Sequence, residues 1–372
     1  MSIELNGTTG IDFNDGSNQS TSATPYGRKN LIINGDMRIA QRGTSSSSIT
    51  TSGYTTVDRW TNSIGTAGTW TISQDTDVPT GQGFSNSHKY DCTTANGSLS
   101  AGSELAIIQM IEAQNLQHLK FGTSSAETLT VSFWVKSNKT GTYIFELYQW
   151  DDNRAISKSY TIDTADTWEK KTITIEGDTT GVIDNNNDKG FQVAWWIAAG
   201  SNNTSGTLQT SWGTIVSANR AVGQVNLADS TSNYINITGC QLEIGDAASD
   251  FEFIPYDMEL QRCQRYYFKN KANNTADAIS SFGEIYNTAN GQVIFILPVP
   301  MRVPFSSYSV EWQDVQALVP STGSYTVTGL AIANGTYTTV LLNFVSSGMT
   351  AGKNPYLRTS SVNGYIAISG EL

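Results

Sequence analysis

Aromatic rings and hydrogen-bonding side chains share one side of three segments between residues 129 and 199. A β-strand turns successive side chains to opposite faces, so each segment would carry one apolar face and one mixed face. The face of a sugar ring is apolar and its edge carries hydroxyl groups, which an aromatic ring and a few polar contacts would recognise. We therefore predict a glycan-binding surface on the mixed faces. Its candidate residues are Trp134, Glu146, Tyr148, Gln149, Gln192 and Trp196.

The same side chains have a second interpretation. The segment from Asn30 to Asp91 would cover them, or another subunit would bury them, and in either case no ligand would reach the rings. The sequence leaves both interpretations open, because alternation gives the face of each residue but not what lies against that face.

A second candidate site is the polar loop DNNNDKG, residues 184–190. Asp184, Asn186 and Asp188 place oxygen atoms at alternating positions, as a calcium-binding loop does. The glycine is displaced by one position, however, and Trp195 stands where such a loop has its closing glutamate. A polar hairpin loop is the alternative. We therefore assign no metal and no cofactor, and keep these three residues as a calcium candidate.

Familiar catalytic patterns are missing from the sequence. Its two histidines, His88 and His118, occur in no metalloprotease, catalytic-triad or nucleophile-elbow context. Hydrolysis of a glycan by two carboxylates stays open as an alternative, because a sequence does not tell which acids lie close together. We expect a binding protein and not an enzyme.

The composition excludes several classes of partner. Acidic residues outnumber basic ones 33 to 22, and the net charge of -11 would repel nucleic acid. No apolar run in the sequence is long enough to span a bilayer, and its first ten residues lack the features of a secretion signal. The cysteines Cys92, Cys240 and Cys263 match no zinc pattern and are expected to be reduced thiols of a protein made in a cytoplasm. We therefore expect neither a nucleic-acid partner nor membrane insertion.

Residues 1–28 are dominated by Gly, Ser, Thr and Asn, with too few apolar residues to enclose a core. We interpret the segment as an arm that orders on a partner, with short strands paired across the Asn6–Gly7 turn. A disordered leader is the alternative. The residues expected in these strands are Ile3, Leu5, Ile11 and Phe13.

Residues 29–256 are predicted to form a jelly-roll β-sandwich, because short alternating runs are separated by turn signals along this length. The last strand, YINITGCQLEI, changes phase. Its apolar residues pass from Ile235 and Ile237 to Cys240 and Leu242, and one extra residue near Thr238–Gly239, a β-bulge, explains the shift.

A short connector helix is predicted over residues 257–268, with Asp257 as its cap. Leu260, Cys263 and Tyr267 recur at the spacing of one apolar stripe. A helix this short is unstable alone, so the stripe would lie against the flanking domains or against its own copies around an oligomer axis.

Residues 269–372 contain five alternating runs with turn signals between them and are predicted to form a C-terminal β-sandwich. The fold class is thus all-β. Its parts are an N-terminal arm, a jelly-roll β-sandwich, a short connecting α-helix and a C-terminal β-sandwich.

At the residues now described, the chain resembles a bacteriophage tail-fibre or receptor-binding virion protein. The opening of a jelly-roll domain in that group is similar to NLIINGDMRIAQRGTS followed by YTTVDRW, and its closing resembles QLEIGDAASDFEFIPYDMELQRCQRYY. Segments of phage fibre shafts resemble IELNGTTGIDFNDGSNQST, and the matching C-terminal domain resembles LPVPMRVP and GYIAISGEL. The similarity covers most of the chain, and its opening and closing motifs are the specific ones.

The resemblance implies a homotrimer in the phage tail of a virion. Residues 1–28 would attach to other tail or virion proteins, and the distal β domains would adhere to a host cell-surface polysaccharide. Two alternatives stay open. One is a purely architectural virion component, such as a capsid fibre or tail-fibre adaptor, and the other is a glycan-degrading fibre enzyme.

The jelly roll also resembles carbohydrate-binding modules that start with Asn-Gly-Asp, several of which hold a structural calcium. Here Arg38 follows Asp36 closely, where those modules often carry an acidic residue. Within YTTVDRW, Asp58 next to Arg59 is expected to form a structural ion pair and not a site.

Overall fold

The computed structural model describes residues 29–320 and 322–372, together with the backbone of three short strands before residue 29. The pairing of Leu5 with Ile11 confirms part of the expected hairpin. Ile3, Phe13 and the expected attachment of the arm lie outside the described residues. The three strands form one antiparallel sheet: β1 (Glu4–Asn6), β2 (Gly10–Asp12) and β3 (Asn18–Gln19).

The strands of the jelly roll lie between residues 45 and 244 and are joined by loops and short helical turns. Short 3-10 helices lie at Ala113–Leu119, Ser217–Asn219 and Leu227–Asp229. The regular elements are β4 (Ser45–Ile49), β5 (Gly53–Tyr54), β6 (Trp60–Gly65), β7 (Thr69–Asp75), β8 (Ser87–Thr94), β9 (Glu104–Glu112), β10 (Leu129–Ser137), β11 (Gly141–Gln149), β12 (Arg154–Ile162), β13 (Glu169–Ile175), β14 (Lys189–Ala199), α1 (Ser201–Thr204), β15 (Gly213–Thr214) and β16 (Tyr234–Ile244).

Two antiparallel sheets of the jelly roll pack face to face. One has six strands in the order β13-β10-β16-β8-β7-β4, and the other has seven in the order β15-β12-β11-β14-β9-β6-β5. The ring of Phe133 on β10 meets that of Trp195 on β14 edge to face, with 5.6 Å between their centres. This sandwich confirms the predicted fold class.

The core between the sheets is built from the apolar faces predicted by alternation. Each of these side chains is at most 1% exposed, and burying one of them stabilises the fold by about 1.5–3 kcal/mol. They are Leu129, Val131, Phe133, Val135, Tyr143, Phe145, Leu147, Phe191, Val193, Trp195 and Ile197.

The predicted bulge in β16 is confirmed. Ser132 pairs with Gln241 and Trp134 pairs with Thr238, so two residues of β16 lie opposite Phe133 alone. One of them is Gly239, whose φ of 60° is unfavourable for other residues, and a Cβ atom there would lie 2.6 Å from the Phe84 ring.

The connecting helix α2 spans Tyr256–Gln264. Pro255 occupies its N-cap position and Asp257 lies in the first turn, so the prediction of Asp257 as the cap is wrong. The apolar stripe lies against the chain's own jelly roll: Cys263 is fully buried beside residues 33, 39 and 266, and Leu260 packs on the same cluster. Tyr267 is also buried, at 1% exposure, beyond the helix end. Cys263 and Tyr267 are therefore covered within a single chain, and Leu260 is half-buried.

The C-terminal domain has three small antiparallel sheets around one apolar core. The sheets have the orders β17-β26-β20, β18-β19-β24-β23 and β22-β21-β25. Their strands are β17 (Tyr267–Lys271), β18 (Gly283–Ile285), β19 (Asn290–Ile296), β20 (Ser309–Gln313), β21 (Val315–Val319), β22 (Gly323–Thr326), β23 (Gly329–Gly335), β24 (Thr339–Val345), β25 (Tyr356–Thr359) and β26 (Tyr365–Ser369).

Buried ion pairs join the jelly roll to the residues after it. Arg59, fully buried, forms an ion pair with Glu371. Asp58 instead accepts a hydrogen bond from the Gln41 N–H at 2.9 Å and lies 4.0 Å from Arg42. The expected pair between Asp58 and Arg59 is therefore wrong, although both residues are structural.

Candidate functional site

A groove of about 270 Å³ lies on the outer face of the seven-stranded sheet. Its floor is formed by small and apolar residues of β9 and β14, which alternate with the core-facing residues of the same strands. Because the floor belongs to hydrogen-bonded strands, the side chains along it have fixed positions. The residues that line the groove are Ser63, Glu104, Ala106, Ile108, Tyr148, Trp150, Gln192, Trp196, Ile215 and Arg220.

Two aromatic rings form one wall of this groove. Tyr148 and Trp150 lie side by side with 4.9 Å between their ring centres, and Trp150 is 38% exposed. The Tyr148 hydroxyl donates to Asn153 at 2.6 Å, which fixes the ring. Burial raises the pKa of the Tyr148 phenol, so the group stays protonated at neutral pH. The Trp150 indole packs beside Tyr148, and the Lys189 ammonium lies 4.7 Å from its ring centre. The part of the indole that stays exposed is a surface on which a sugar ring can stack.

A buried ion pair forms the centre of the groove. Arg220 binds both carboxylate oxygens of Glu146, at 2.8 and 2.6 Å, and its guanidinium lies 5.1 Å from the centre of the Trp196 ring. Burial works against the charged guanidinium, but the hydrogen bonds that Arg220 donates to Glu146 raise the pKa of Arg220 overall. The guanidinium therefore covers Trp196, which is 2% exposed. Trp196 supports Arg220 and does not itself offer a free ring.

The polar end of the groove continues into a wider, more open depression of about 700 Å³. Glu104 and Arg220 line both spaces. Glu104 accepts a hydrogen bond from the Ser63 hydroxyl at 2.5 Å. The depression is otherwise bordered by polar residues of the 201–205 segment and by Val216, Ser217 and Ala218, so hydrogen-bonding groups extend beyond the aromatic wall.

The structure brings together some of the residues predicted from the sequence and separates others. Tyr148 and Gln192 line the groove, with Glu146 fully buried beneath Arg220. Trp134 lies on β10 of the six-stranded sheet, on the opposite side of the sandwich, so its grouping with the others is corrected. Gln149 has the alternation of the core residues: it is fully buried and donates to the Val182 carbonyl at 2.7 Å.

The sequence interpretation missed Trp150, Arg220, Ser63 and Glu104. Trp150 has the same alternation as Tyr148, so the pattern itself was sufficient to include it. Arg220 follows a 3-10 helix in an irregular segment, where no periodicity indicates the direction of a side chain. The segment from Asn30 to Asp91 was one possible cover for the aromatic side chains. From this segment, Ser63 lines the groove.

The calcium candidate does not form a cation site among the described residues. The main-chain oxygen of Asn186 accepts from the Gln114 N–H at 2.7 Å, and Asp188 N–H donates to the Asn186 side chain at 2.9 Å. The Asp184 carbonyl also accepts a protein hydrogen bond. Arg302 of the C-terminal domain donates to the loop at 2.6 Å through the Asn187 carbonyl. The loop is therefore a contact between domains.

A guanidinium is the counter-ion of the buried Asp36. The Nε atom of Arg38 lies 2.8 Å from the Asp36 carboxylate, and Arg38 also donates to the Ile254 carbonyl. Burial raises the pKa of Asp36 to about 6, against the opposing effect of Arg38. In the part of the chain that the structure describes, no three His, Cys, Asp or Glu side chains are grouped so as to hold a metal ion.

Within the described ranges, every helix is too short or too polar to cross a lipid bilayer.

No known family profile matches the chain, and no curated protein matches its sequence. Similar solved structures cover more than half of it. A tailspike protein 4 enzymatically active domain of bacteriophage CBA120 is 13% identical, with a TM-score of 0.30. The match covers 58% of this chain and 21% of the tailspike chain. The carbohydrate-binding module TmCBM61, solved with β-1,4-galactotriose, is 10% identical with a TM-score of 0.30, covering 59% of this chain and 100% of its own. A family 11 carbohydrate-binding module from Clostridium thermocellum is 12% identical, with a TM-score of 0.28. The match covers 55% of this chain and 98% of the module.

Proposed function

We propose that this protein is a non-enzymatic adhesin of a phage tail fibre that binds a surface glycan of its host through the groove on the seven-stranded sheet. The observation that carries the proposal is the partly exposed Trp150 ring, which lies beside Tyr148 and lines the groove with the polar side chains of Gln192 and Arg220. The resemblance in the opening and closing motifs of the jelly roll supports the tail-fibre part of the proposal.

The groove supplies the two kinds of contact that a sugar requires. The apolar face of a sugar ring would stack on Trp150, while its hydroxyl groups would exchange hydrogen bonds with Gln192 and Arg220. Glu146 holds the guanidinium in place, so little side-chain entropy would be lost when the ligand binds.

We further propose that the protein acts as a homotrimer, attached to the virion through residues 1–28. A shallow groove with one exposed indole would bind a single saccharide weakly, whereas tethered copies raise avidity by about 10²- to 10⁴-fold without any new contact. Light scattering on the purified protein tests the oligomer.

The groove is tested by Trp150→Ala, with Trp134→Ala as the matched control. Both variants remove one partly exposed indole from the jelly roll, but Trp134 lies on the opposite sheet. Purified capsular polysaccharide and lipopolysaccharide from the host, with neutral oligosaccharides, serve as probes in calorimetry and pull-down. We expect Trp150→Ala to weaken binding by roughly tenfold or more, since covering a large apolar side chain contributes about 1.5–3 kcal/mol, and Trp134→Ala to bind as wild type.

Other outcomes contradict the proposal. Full binding by a folded Trp150→Ala protein would exclude the groove, and absence of glycan binding with unchanged virion adsorption would favour a purely architectural fibre component. Release of new reducing ends from the polysaccharide would indicate an enzyme.

A further inference from the structure

A second cleft, of about 370 Å³, opens where helix α2 packs against the jelly roll. It shares no lining residue with the groove. Its volume lies within the range of about 300–1,000 Å³ that is usual for small-molecule sites. Its walls are the segment 30–33, the end of β9, the following 3-10 helix and one face of α2.

Two arginines line this cleft, Arg262 in the last turn of α2 and Arg265 at its C-cap. Arg262 and Arg265 are three residues apart, which places them on the same face at the C-terminal end of the helix. Each has a carboxylate partner on the protein side. Arg262 contacts Glu259 at 3.1 Å, and Arg265 donates to both oxygens of Glu112 at 2.9 Å each.

The burial of these ion pairs is asymmetric. The carboxylate side chains of Glu112 and Glu259 are 0% and 4% exposed, whereas the arginine side chains are 32% and 22% exposed. The acids therefore orient the guanidinium groups from behind. A guanidinium carries five N–H donors, and Glu259 occupies one nitrogen of Arg262, so donors remain on the cleft side.

The other walls complete a site for a ring that carries an acid group. The exposed side-chain amides of Gln114 and Asn115 border the opening, and the buried apolar side chains of Ile33 and Ile111 lie at the inner wall. An apolar wall suits the face of a sugar ring, amides suit its hydroxyl groups, and guanidinium groups bind carboxylates in a bidentate fork. The chain as a whole has a net charge of -11, so an acidic glycan would be repelled over most of the surface.

We propose that this cleft binds the carboxylate-bearing sugar of an acidic polysaccharide, with Arg262 and Arg265 on the carboxylate. The inference rests on the proposed function in that the ligand is a glycan, but not on the groove. The protein would then bind an acidic unit at α2 and a second unit at Trp150.

Calorimetry with trigalacturonate, its methyl ester and neutral galactotriose tests the cleft, because these probes share a sugar scaffold and differ in the charged group. We expect the protein to bind the acid at least about tenfold more tightly than the ester, since hydrogen bonds to a charged group are stronger than those to a neutral one. The preference is expected to decrease with added salt.

Variants locate the binding. Arg262→Gln is expected to abolish the preference for the acid, and Arg262→Lys to retain part of it. Asn115→Ala, at an exposed amide of the same cleft, is expected to weaken the binding of both probes without affecting the ion pairs. Arg358→Gln, on β25 of the C-terminal domain, removes the same charge elsewhere and is expected to bind as wild type.

Equal affinity for acid and ester, or an unchanged preference in a folded Arg262→Gln protein together with unchanged affinity for both probes in Asn115→Ala, would overturn the proposal. Trp150→Ala separates the two sites. If it abolishes binding of neutral glycan and leaves the binding of trigalacturonate intact, the cleft acts independently. If trigalacturonate binding disappears with Trp150, the acid binds in the groove and the cleft is not a site.

Discussion

The guanidinium of Arg59 lies 3.4 Å from the centre of the Tyr266 ring, the second residue after helix α2. The same group forms an ion pair with Glu371 and donates to the Met110 carbonyl at 2.7 Å. A fully buried arginine thus binds β9, the segment after the helix and a residue that follows the last strand.

Glu371→Ala would leave the Arg59 charge buried without its carboxylate. We expect a loss of about 3–5 kcal/mol in the free energy of unfolding, as for other buried ion pairs from which one partner is removed. Urea unfolding followed by tryptophan fluorescence measures the change. Glu284→Ala, at an exposed residue of β18, is the control and is expected to have little effect. Equal losses in the two variants would exclude a stabilising role for the buried pair.

His88 makes the fold sensitive to acid. Its ring is buried between Trp60 and Tyr90, and burial lowers its pKa from 6.5 to about 3. Between these values the unfolded chain binds a proton that the folded chain does not, so the stability falls as the pH decreases from 6.5 towards 3. The expected slope is up to about 1.4 kcal/mol per pH unit.

His88→Phe keeps an aromatic ring in the contact and removes the titration. The pH dependence of its unfolding midpoint between pH 4 and 6.5 is therefore expected to be flatter than that of the wild type. His118→Gln, at a half-buried histidine, is the comparison, with a smaller expected change. If the His88→Phe protein retains the full slope, another group is responsible.

Gly239→Ala tests the bulge in β16. An alanine there would adopt a left-handed conformation, at a cost of about 1–2 kcal/mol, and its Cβ would overlap the Phe84 ring. Gly81→Ala has a similar φ of 77° with open space around it, so it measures the backbone cost alone. We expect Gly239→Ala to lose about 1–3 kcal/mol more than Gly81→Ala in chemical denaturation, from the overlap. Equal losses would mean that Phe84 moves aside freely.

Calcium is expected to leave the stability of the jelly roll unchanged. A ligand that binds only the folded state raises the melting temperature of the protein. Here, however, the Arg38 guanidinium already neutralises Asp36 at 2.8 Å. The Asp184–Gly190 loop is held by hydrogen bonds within itself and from Arg302. Melting temperatures measured with EDTA and with excess calcium test this expectation. A clear rise in calcium would reveal a cation site that these contacts do not explain.

The sequence predicted the features of the fold that depend on local spacing. Alternation identified the core faces of β10, β11 and β14, and its change of phase identified the bulge at Gly239. Each of these depends on neighbouring residues of one strand, so periodicity is sufficient to find it.

The features that were missed depend on distant partners. Alternation assigns Trp134 to an outward face but does not tell which of the two sheets carries its strand, so it was grouped with residues on the other sheet. The partner of Arg59 is 312 residues away, and Arg265 and Glu112 are 153 residues apart. No local pattern relates such residues, and the irregular segment of Arg220 has no periodicity to interpret.

The salt bridge from Glu371 back to Arg59 changes how the molecule would respond to a mechanical load. The C-terminal domain connects to the jelly roll covalently through α2 and a second time through this bridge, with Arg302 adding a third contact at the Asn187 loop. Several attachments in parallel resist twisting far better than one short helix acting as a hinge. A twisting force applied to one module would therefore be transmitted to the other instead of bending the molecule between them.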